Sequence, residues 1–220
     1  MRAILDQHRL LVAEALGAFL LTATVVGSGI MAQNLTADIG LQLTINTLAT
    51  VFILFLLISM LGPISGAHFN PAVSLVFFLT KGISKGLFIF YVLAQLTGGF
   101  LGAVVANLMF EVPTQLATNQ RISPAAGLSE VIATAGLILT IFLLLRHREH
   151  LVPVGVATWI GAGYFFTSST SFANPAVTFG RVFSDTFTGI DPVSATWFIA
   201  IQMVAAVLGL FIYKYLEGEK

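Results

Sequence analysis

The octapeptide His68-Phe69-Asn70-Pro71-Ala72-Val73-Ser74-Leu75 returns 104 residues later as Phe172-Ala173-Asn174-Pro175-Ala176-Val177-Thr178-Phe179. Each copy carries helix-starting chemistry. Asparagine is a good N-cap, its side-chain oxygen accepting from a backbone N–H that a helix leaves unpaired at its start; proline suits the first helical position, where no donor is needed. One such tripeptide is explained by capping alone. Here each copy opens an apolar piece, about 70–79 and 174–184, that at about 1.5 Å per residue covers roughly half of a bilayer's hydrocarbon. Both pieces are predicted to be half-helices starting inside a membrane.

Outward from these motifs, apolar stretches near 10–32, 40–62, 86–109, 127–145, 151–168 and 193–215 are long enough to cross roughly 30 Å of hydrocarbon. The expected fold class is an all-α membrane protein with six transmembrane helices and two re-entrant half-helices. Of 220 residues, 57% are hydrophobic and 9% charged, with a mean hydropathy of +0.94, whereas a soluble domain carries about 25% charged residues. A soluble enzyme is excluded. Ten Lys plus Arg balance ten Asp plus Glu, so no basic surface offers itself to nucleic acid. The lack of cysteine rules out a disulfide framework, a thiolate metal site and a cysteine nucleophile. With no Ser/His/Asp constellation, metal-ligand cluster or nucleotide-binding loop in view, neither catalysis nor a metal or cofactor is expected. The first apolar run follows Asp6, His8 and Arg9 without a small-residue cleavage site after it, and reads as a retained span.

Lys and Arg are enriched in cytoplasmic loops. With the N-terminus inside, Arg2, Arg9, Lys81, Lys85, Arg146, Arg148, Lys214 and Lys220 are cytoplasmic, against Arg121 and Arg181 outside. Both termini are therefore expected in the cytoplasm.

The halves echo each other: Glu14 in AEALGAFLLT answers Glu130 in SEVIATAGLILT, Asn70 answers Asn174, and Gln95 in YVLAQLTGG answers Gln202 in FIAIQMVAA. A single transmembrane domain over 1–220 is expected, repeat one covering about 1–110 and repeat two about 125–220. Three spans per unit is an odd number, so the second copy is inverted; inverted repeats with interrupted helices set their working site near the midplane. A helix start at that depth needs protein or a water-filled cavity around its free N–H groups. Two starts meeting there bring partial charges of about +0.5 each and repel cations, while the Asn70 and Asn174 amides donate to a passing oxygen. Uncharged, hydrogen-bonding permeants are favoured, the opposite of a carbonyl- or carboxylate-ringed cation filter. A secondary transporter is the rival reading, since it shares inverted repeats and broken helices. Glu14 and Glu130 are the mid-span acids through which it would couple.

AEALG, SEVIATAG, SGAHFNPAV, YVLAQLTGG and SFANPAVTFG, in this six-plus-two order, resemble the aquaporin, or major intrinsic protein, family over essentially the whole chain. The resemblance implies a right-handed helical bundle, a homotetramer with one pore per subunit, a bacterial inner membrane, and permeation of water and small neutral solutes. It implies Asn70, Pro71, Ala72, Asn174, Pro175 and Ala176 at the pore centre, with Glu14 and Glu130 holding the re-entrant loops from behind. An intramembrane carboxylate needs partners in any case, and loop N–H groups or His68 supply them. His68 reads as a brace for its own loop rather than a gating proton sensor.

One departure bears on selectivity. Relatives continue the second motif with an arginine at the narrowest part of the pore, where this chain has Val177. Counting from the asparagines gives Thr50, Ala162 and Ser171 as the other filter positions. That ring is small and uncharged, with no aromatic wall, and predicts a wide outer filter passing glycerol-like polyols. The NPAVTFGR setting also resembles a bacterial aquaglyceroporin-like subgroup encoded beside arsenic-resistance genes, which implies neutral arsenite and methylated arsenicals among the permeants. A strict water channel is the alternative. Arg181, one turn past Val177, is an outer-mouth candidate, but Asp185 four residues later predicts an ordinary solvated ion pair. Thr44, Asn46, Thr47 and Thr50 either line the outer vestibule or bond to carbonyls of their own helix. Gly98, Gly99, Gly102 and Ala103 read as a close-packing surface between helices.

Overall fold

The protein is described by a computed structural model covering residues 2–218, with side chains from residue 7 onward. Lys220 and the side chains of Arg2 and Asp6 lie outside the described residues. The elements are α1 (Arg2–Leu35), α2 (Ile39–Ser65), the short α3 (Pro71–Leu79), α4 (Lys85–Met109), α5 (Pro124–His147), a 3-10 turn (Glu149–Leu151), α6 (Val152–Phe166), the short α7 (Pro175–Arg181) and α8 (Pro192–Glu217). The described residues contain no strand.

Local chemistry sets the helix starts. Asn70-Pro71, Ser123-Pro124, Asn174-Pro175 and Asp191-Pro192 each pair a capping side chain with a proline in the first turn, and each cap accepts a backbone N–H of its helix. Asp38 and Ser84 cap α2 and α4 without a proline. At its far end α2 stops on Gly66, whose φ of +85° is the left-handed conformation glycine reaches without steric cost.

Five helices, α1, α2, α4, α5 and α8, are long and apolar enough to cross a membrane. The remaining span expected, 151–168, is the 15-residue α6, about 22 Å long at 1.5 Å per residue. It is shorter than expected because Thr167 turns into extended backbone (φ −109°, ψ 140°) to enter the second loop. The second half-helix is also shorter than 174–184. It ends at Arg181, where the N–H groups of Val182 and Phe183 bond to the carbonyls of Phe179 and Gly180 in a tightened last turn.

Small residues let backbones touch. A Cβ at Gly98 would overlap the Ala15 carbonyl and one at Gly102 the Phe19 carbonyl, which seats α4 directly on α1; Gly209 against the Ala135 carbonyl seats α8 on α5. The half-helices cross over between these pairs. The short α3 packs on both α4 and α8, and α7 packs on α4, α8 and α1. Large apolar side chains such as Phe52, Phe55, Phe90 and Phe211 stand exposed on the outside of the bundle, as a lipid-facing surface requires.

Candidate pore

The two Asn-Pro-Ala starts meet at the centre of the bundle. Asn70 Oδ1 caps α3 by accepting from Ala72 N–H at 2.9 Å, while its Nδ2 donates to the Ala173 carbonyl in the other loop at 2.8 Å. Asn174 does the same in reverse: Oδ1 accepts from Ala176 and Val177, and Nδ2 donates to the Phe69 carbonyl at 2.9 Å. One N–H of each amide is thus committed to the opposite loop. Each has a second, and both asparagines line the cavity.

Behind the loops stand two fully buried glutamates with matching partners. Glu14 Oε1 accepts from Ser65 Oγ and His68 N–H, and Oε2 from Phe69 N–H and Gln95 Nε2. Glu130 Oε1 accepts from Ser169 Oγ and Phe172 N–H, and Oε2 from Ala173 N–H and Gln202 Nε2. Every donor has its counterpart in the other half of the chain. These bonds hold an unusual backbone: Ala67, Phe69, Thr170, Ser171 and Ala173 all have φ between +47° and +61°. Non-glycine residues held there cost about 1–3 kcal/mol each, and persist only where surrounding bonds over-determine them. His68 reaches Glu14 through its backbone N–H rather than its ring. The imidazole Nδ1 lies 3.0 Å from Ser74 Oγ, and the ring sits on Phe77 with centroids 4.3 Å apart.

A cavity of about 530 Å³ runs past both asparagines, from Pro63, Glu149 and His150 at one end to Thr50, Tyr164 and Arg181 at the other. Each helix contributes a stripe spaced by four residues: Thr50, Leu54 and Ile58 on α2; Leu137, Ile141 and Leu145 on α5; Val152, Val156, Ile160 and Tyr164 on α6; Val177 and Arg181 on α7. One wall is therefore apolar. The other carries the asparagines and the loop backbone.

At the far end the structure corrects the ring expected from counting. Thr50, Ser171 and Val177 line the cavity, but Ala162 is exposed on the outside of α6 and does not. Residue 162 sits half a turn away from the Val156–Ile160–Tyr164 stripe, so Tyr164 takes that place; the four-residue spacing is the sequence signal that marks it. Its hydroxyl lies 3.1 Å from Thr50 Oγ1, and Ser171 Oγ beside it is buried with no protein partner. Tyr164 gives the layer an aromatic wall in place of the small residue expected there.

The solvated Arg181–Asp185 pair is corrected as well. Because α7 ends at Arg181, Asp185 is not on its helix, and its Oδ1 accepts from the N–H and hydroxyl of Thr118 instead. Arg181 is 4% exposed: its Nε donates to the Thr188 carbonyl and its guanidinium carbon lies 3.5 Å from the centroid of the Phe172 ring. Of the span-two polar residues, Thr44, Thr47 and Thr50 bond back to the carbonyls of Gly40, Leu43 and Asn46, and Asn46 Nδ2 reaches the Val25 carbonyl.

A helical membrane bundle with two half-helices meeting at paired asparagines, beside a cavity that follows the helix axes, defines a membrane channel. The chain belongs to the major intrinsic protein family, whose model matches residues 3–169. It is similar to the aquaglyceroporin AqpS of Rhizobium meliloti, 48% identical over 212 residues that cover 96% of this chain and 91% of that protein. A probable aquaporin TIP-type RB7-5A of Nicotiana tabacum is 31% identical over 77% of this chain and 73% of its own length. Among solved structures, the aquaglyceroporin from Plasmodium falciparum superposes with a TM-score of 0.72 at 23% identity, covering 94% of this chain and 95% of that one. The protein is a multi-pass membrane protein and a passive channel for water and small solutes.

Proposed function

We propose that this channel passes glycerol-sized uncharged solutes as well as water, with Asn70 and Asn174 handing on solute oxygens at its centre. The observation carrying this reading is the two-faced cavity. An apolar wall from α2, α5 and α6 faces asparagine amides, which matches a solute with carbon on one side and hydroxyls on the other. The name of the AqpS relative points the same way. Glu14 and Glu130 brace the loops, and with four donors each they leave no lone acceptor free for ion coupling. The chain acts as one channel domain of two inverted repeats, about 1–110 and 125–220. It assembles as a homotetramer in a bacterial inner membrane with both termini cytoplasmic, so that the Glu149–His150 end of the cavity is the inner mouth.

Stopped-flow measurements on proteoliposomes test this with water, glycerol and undissociated arsenite. Glycerol flux that does not saturate and ignores an imposed ion gradient is expected. A pore passing water alone would overturn the solute range, and flux driven by an ion gradient would overturn the channel mechanism. Neutral arsenite and methylated arsenicals are the further permeants that the same assay reads.

A further inference from the structure

We infer that Arg181 supplies this channel's pore-lining cation from one helical turn beyond Val177, and that it screens solutes together with Thr50, Tyr164 and Ser171. This rests on the channel reading above and concerns which residue sets its selectivity.

Residues 177 and 181 share a face of α7, and both line the cavity. The first is valine, so that turn of the helix offers no donor. The second is an arginine turned inward, anchored through Nε to the Thr188 carbonyl and laid over Phe172. Its neighbours reinforce the pose. Arg121 holds the same loop through the carbonyls of Phe187 and Gly189, and its guanidinium carbon lies 5.3 Å from the centroid of the same Phe172 ring. Three consecutive carbonyls, 187 to 189, thus fix two guanidinium groups about one aromatic ring.

Neither arginine is in an ion pair. Among the described residues, the ion pairs are those of Arg146 and His147 with Glu217, at the other end of the molecule. Arg181 is therefore a buried cation held by a carbonyl and an aromatic face, with no acid within ion-pair distance, and as a cavity-lining residue it presents positive potential to the lumen. A guanidinium carries donors only, and with Nε committed to Thr188 the remaining Arg181 N–H groups are left to serve the lumen, whose lining here also includes Tyr164, Thr50 and Ser171, the last with an unpartnered Oγ. That set binds the oxygens of an uncharged, multiply hydroxylated solute and repels cations. A Lys keeps the charge; a Val removes it.

The test is proteoliposome permeability of Arg181→Val, Arg181→Lys, Phe172→Leu and the charge-relocating double variant Val177→Arg/Arg181→Val, read as ratios to water for glycerol and for methylammonium ion. In Arg181→Val the methylammonium-to-water ratio is expected to rise about tenfold, and the glycerol-to-water ratio severalfold, because the electrostatic and steric barrier is gone. Arg181→Lys keeps methylammonium excluded, and the double variant restores exclusion from position 177. Phe172→Leu, which leaves the charge but removes its platform, gives an intermediate rise. Should Arg181→Val not fold, the double variant and Phe172→Leu decide. Ratios in Arg181→Val equal to wild type, a double variant that still leaks, or an unchanged Phe172→Leu would each overturn the assignment and leave Arg181 a structural tie. A wild-type channel that passes no glycerol defeats the solute reading instead, since the methylammonium ratios are measured against water.

Discussion

Asn70 and Asn174 exchange places across the centre of the molecule: each donates its side-chain amide to the carbonyl immediately preceding the other, Asn70 to Ala173 and Asn174 to Phe69. The same side chain caps its own half-helix through Oδ1. Replacing either by aspartate keeps the cap but sets a carboxylate against a carbonyl. Loss of a buried bond with an unpaired acceptor left behind costs about 1–3 kcal/mol. Asn70→Asp and Asn174→Asp should therefore lower the melting temperature of the solubilised protein by similar amounts and reduce water permeability. A large effect from one and none from the other would show that the exchange is not what holds the centre.

The glutamates invite a matched pair of substitutions. In Glu14→Gln an NH2 group replaces one oxygen that accepted two bonds, so a donor faces donors from Phe69 and Gln95 or from Ser65 and His68. Hydrogen bonds to charged groups contribute about 1.5–3 kcal/mol, and the left-handed residues Ala67 and Phe69 lose their restraint. Thermal unfolding in detergent should show a destabilisation of that order for Glu14→Gln, and an equal one for Glu130→Gln. If both variants melt as wild type does, the carboxylates are not bracing the loops.

Much of this was legible in residue order because membrane depth leaves few options. Asn-Pro at the head of an apolar piece too short to cross the bilayer specifies a helix start, and its repetition beside Glu14/Glu130 and Gln95/Gln202 specifies where the two starts meet. The outer end of the cavity was less legible. Transferring positions by counting assumes a fixed number of residues between a helix face and the second motif, and on α6 that number differs: residue 162 falls on the outer face while 152, 156, 160 and 164 turn inward. Arg181 departs from the expected ion pair because the four-residue rule holds only while the helix continues, and α7 stops at Arg181.

Glycine positions separate contact from open space. A Cβ at Gly99 would overlap the carbonyl of Ala176, the last residue of the second motif, whereas one at Gly62 meets nothing within 4 Å. The Gly99 contact is with backbone, which cannot swing aside as a side-chain tip can. Gly99→Ala should push α7 off α4 and depress water permeability severalfold, with overpacking costing about 1–3 kcal/mol. Gly62→Ala should leave folding near wild type, with stability within about 1 kcal/mol or slightly raised, because alanine is the better helix former. Equal stability in the two variants would mean that the α4–α7 seam does not depend on this contact.

The exchange of Ala162 for Tyr164 is itself open to measurement. Tyr164 lines the far end of the cavity and keeps its hydroxyl 3.1 Å from Thr50 Oγ1, while Ala162 faces outward. Tyr164→Phe removes the hydroxyl and leaves the ring, so glycerol and water should both continue to pass, with glycerol losing more because a lining hydrogen-bond group is gone. Tyr164→Ala opens the layer, and the glycerol-to-water ratio should rise severalfold, with solutes larger than glycerol beginning to enter. Ala162→Phe places an aromatic ring on the outer face and should change neither ratio. A shift in selectivity from Ala162→Phe with none from Tyr164→Ala would return position 162 to the pore and remove Tyr164 from it, because a side chain on the outer face has no route to the solute except through displacement of the helix.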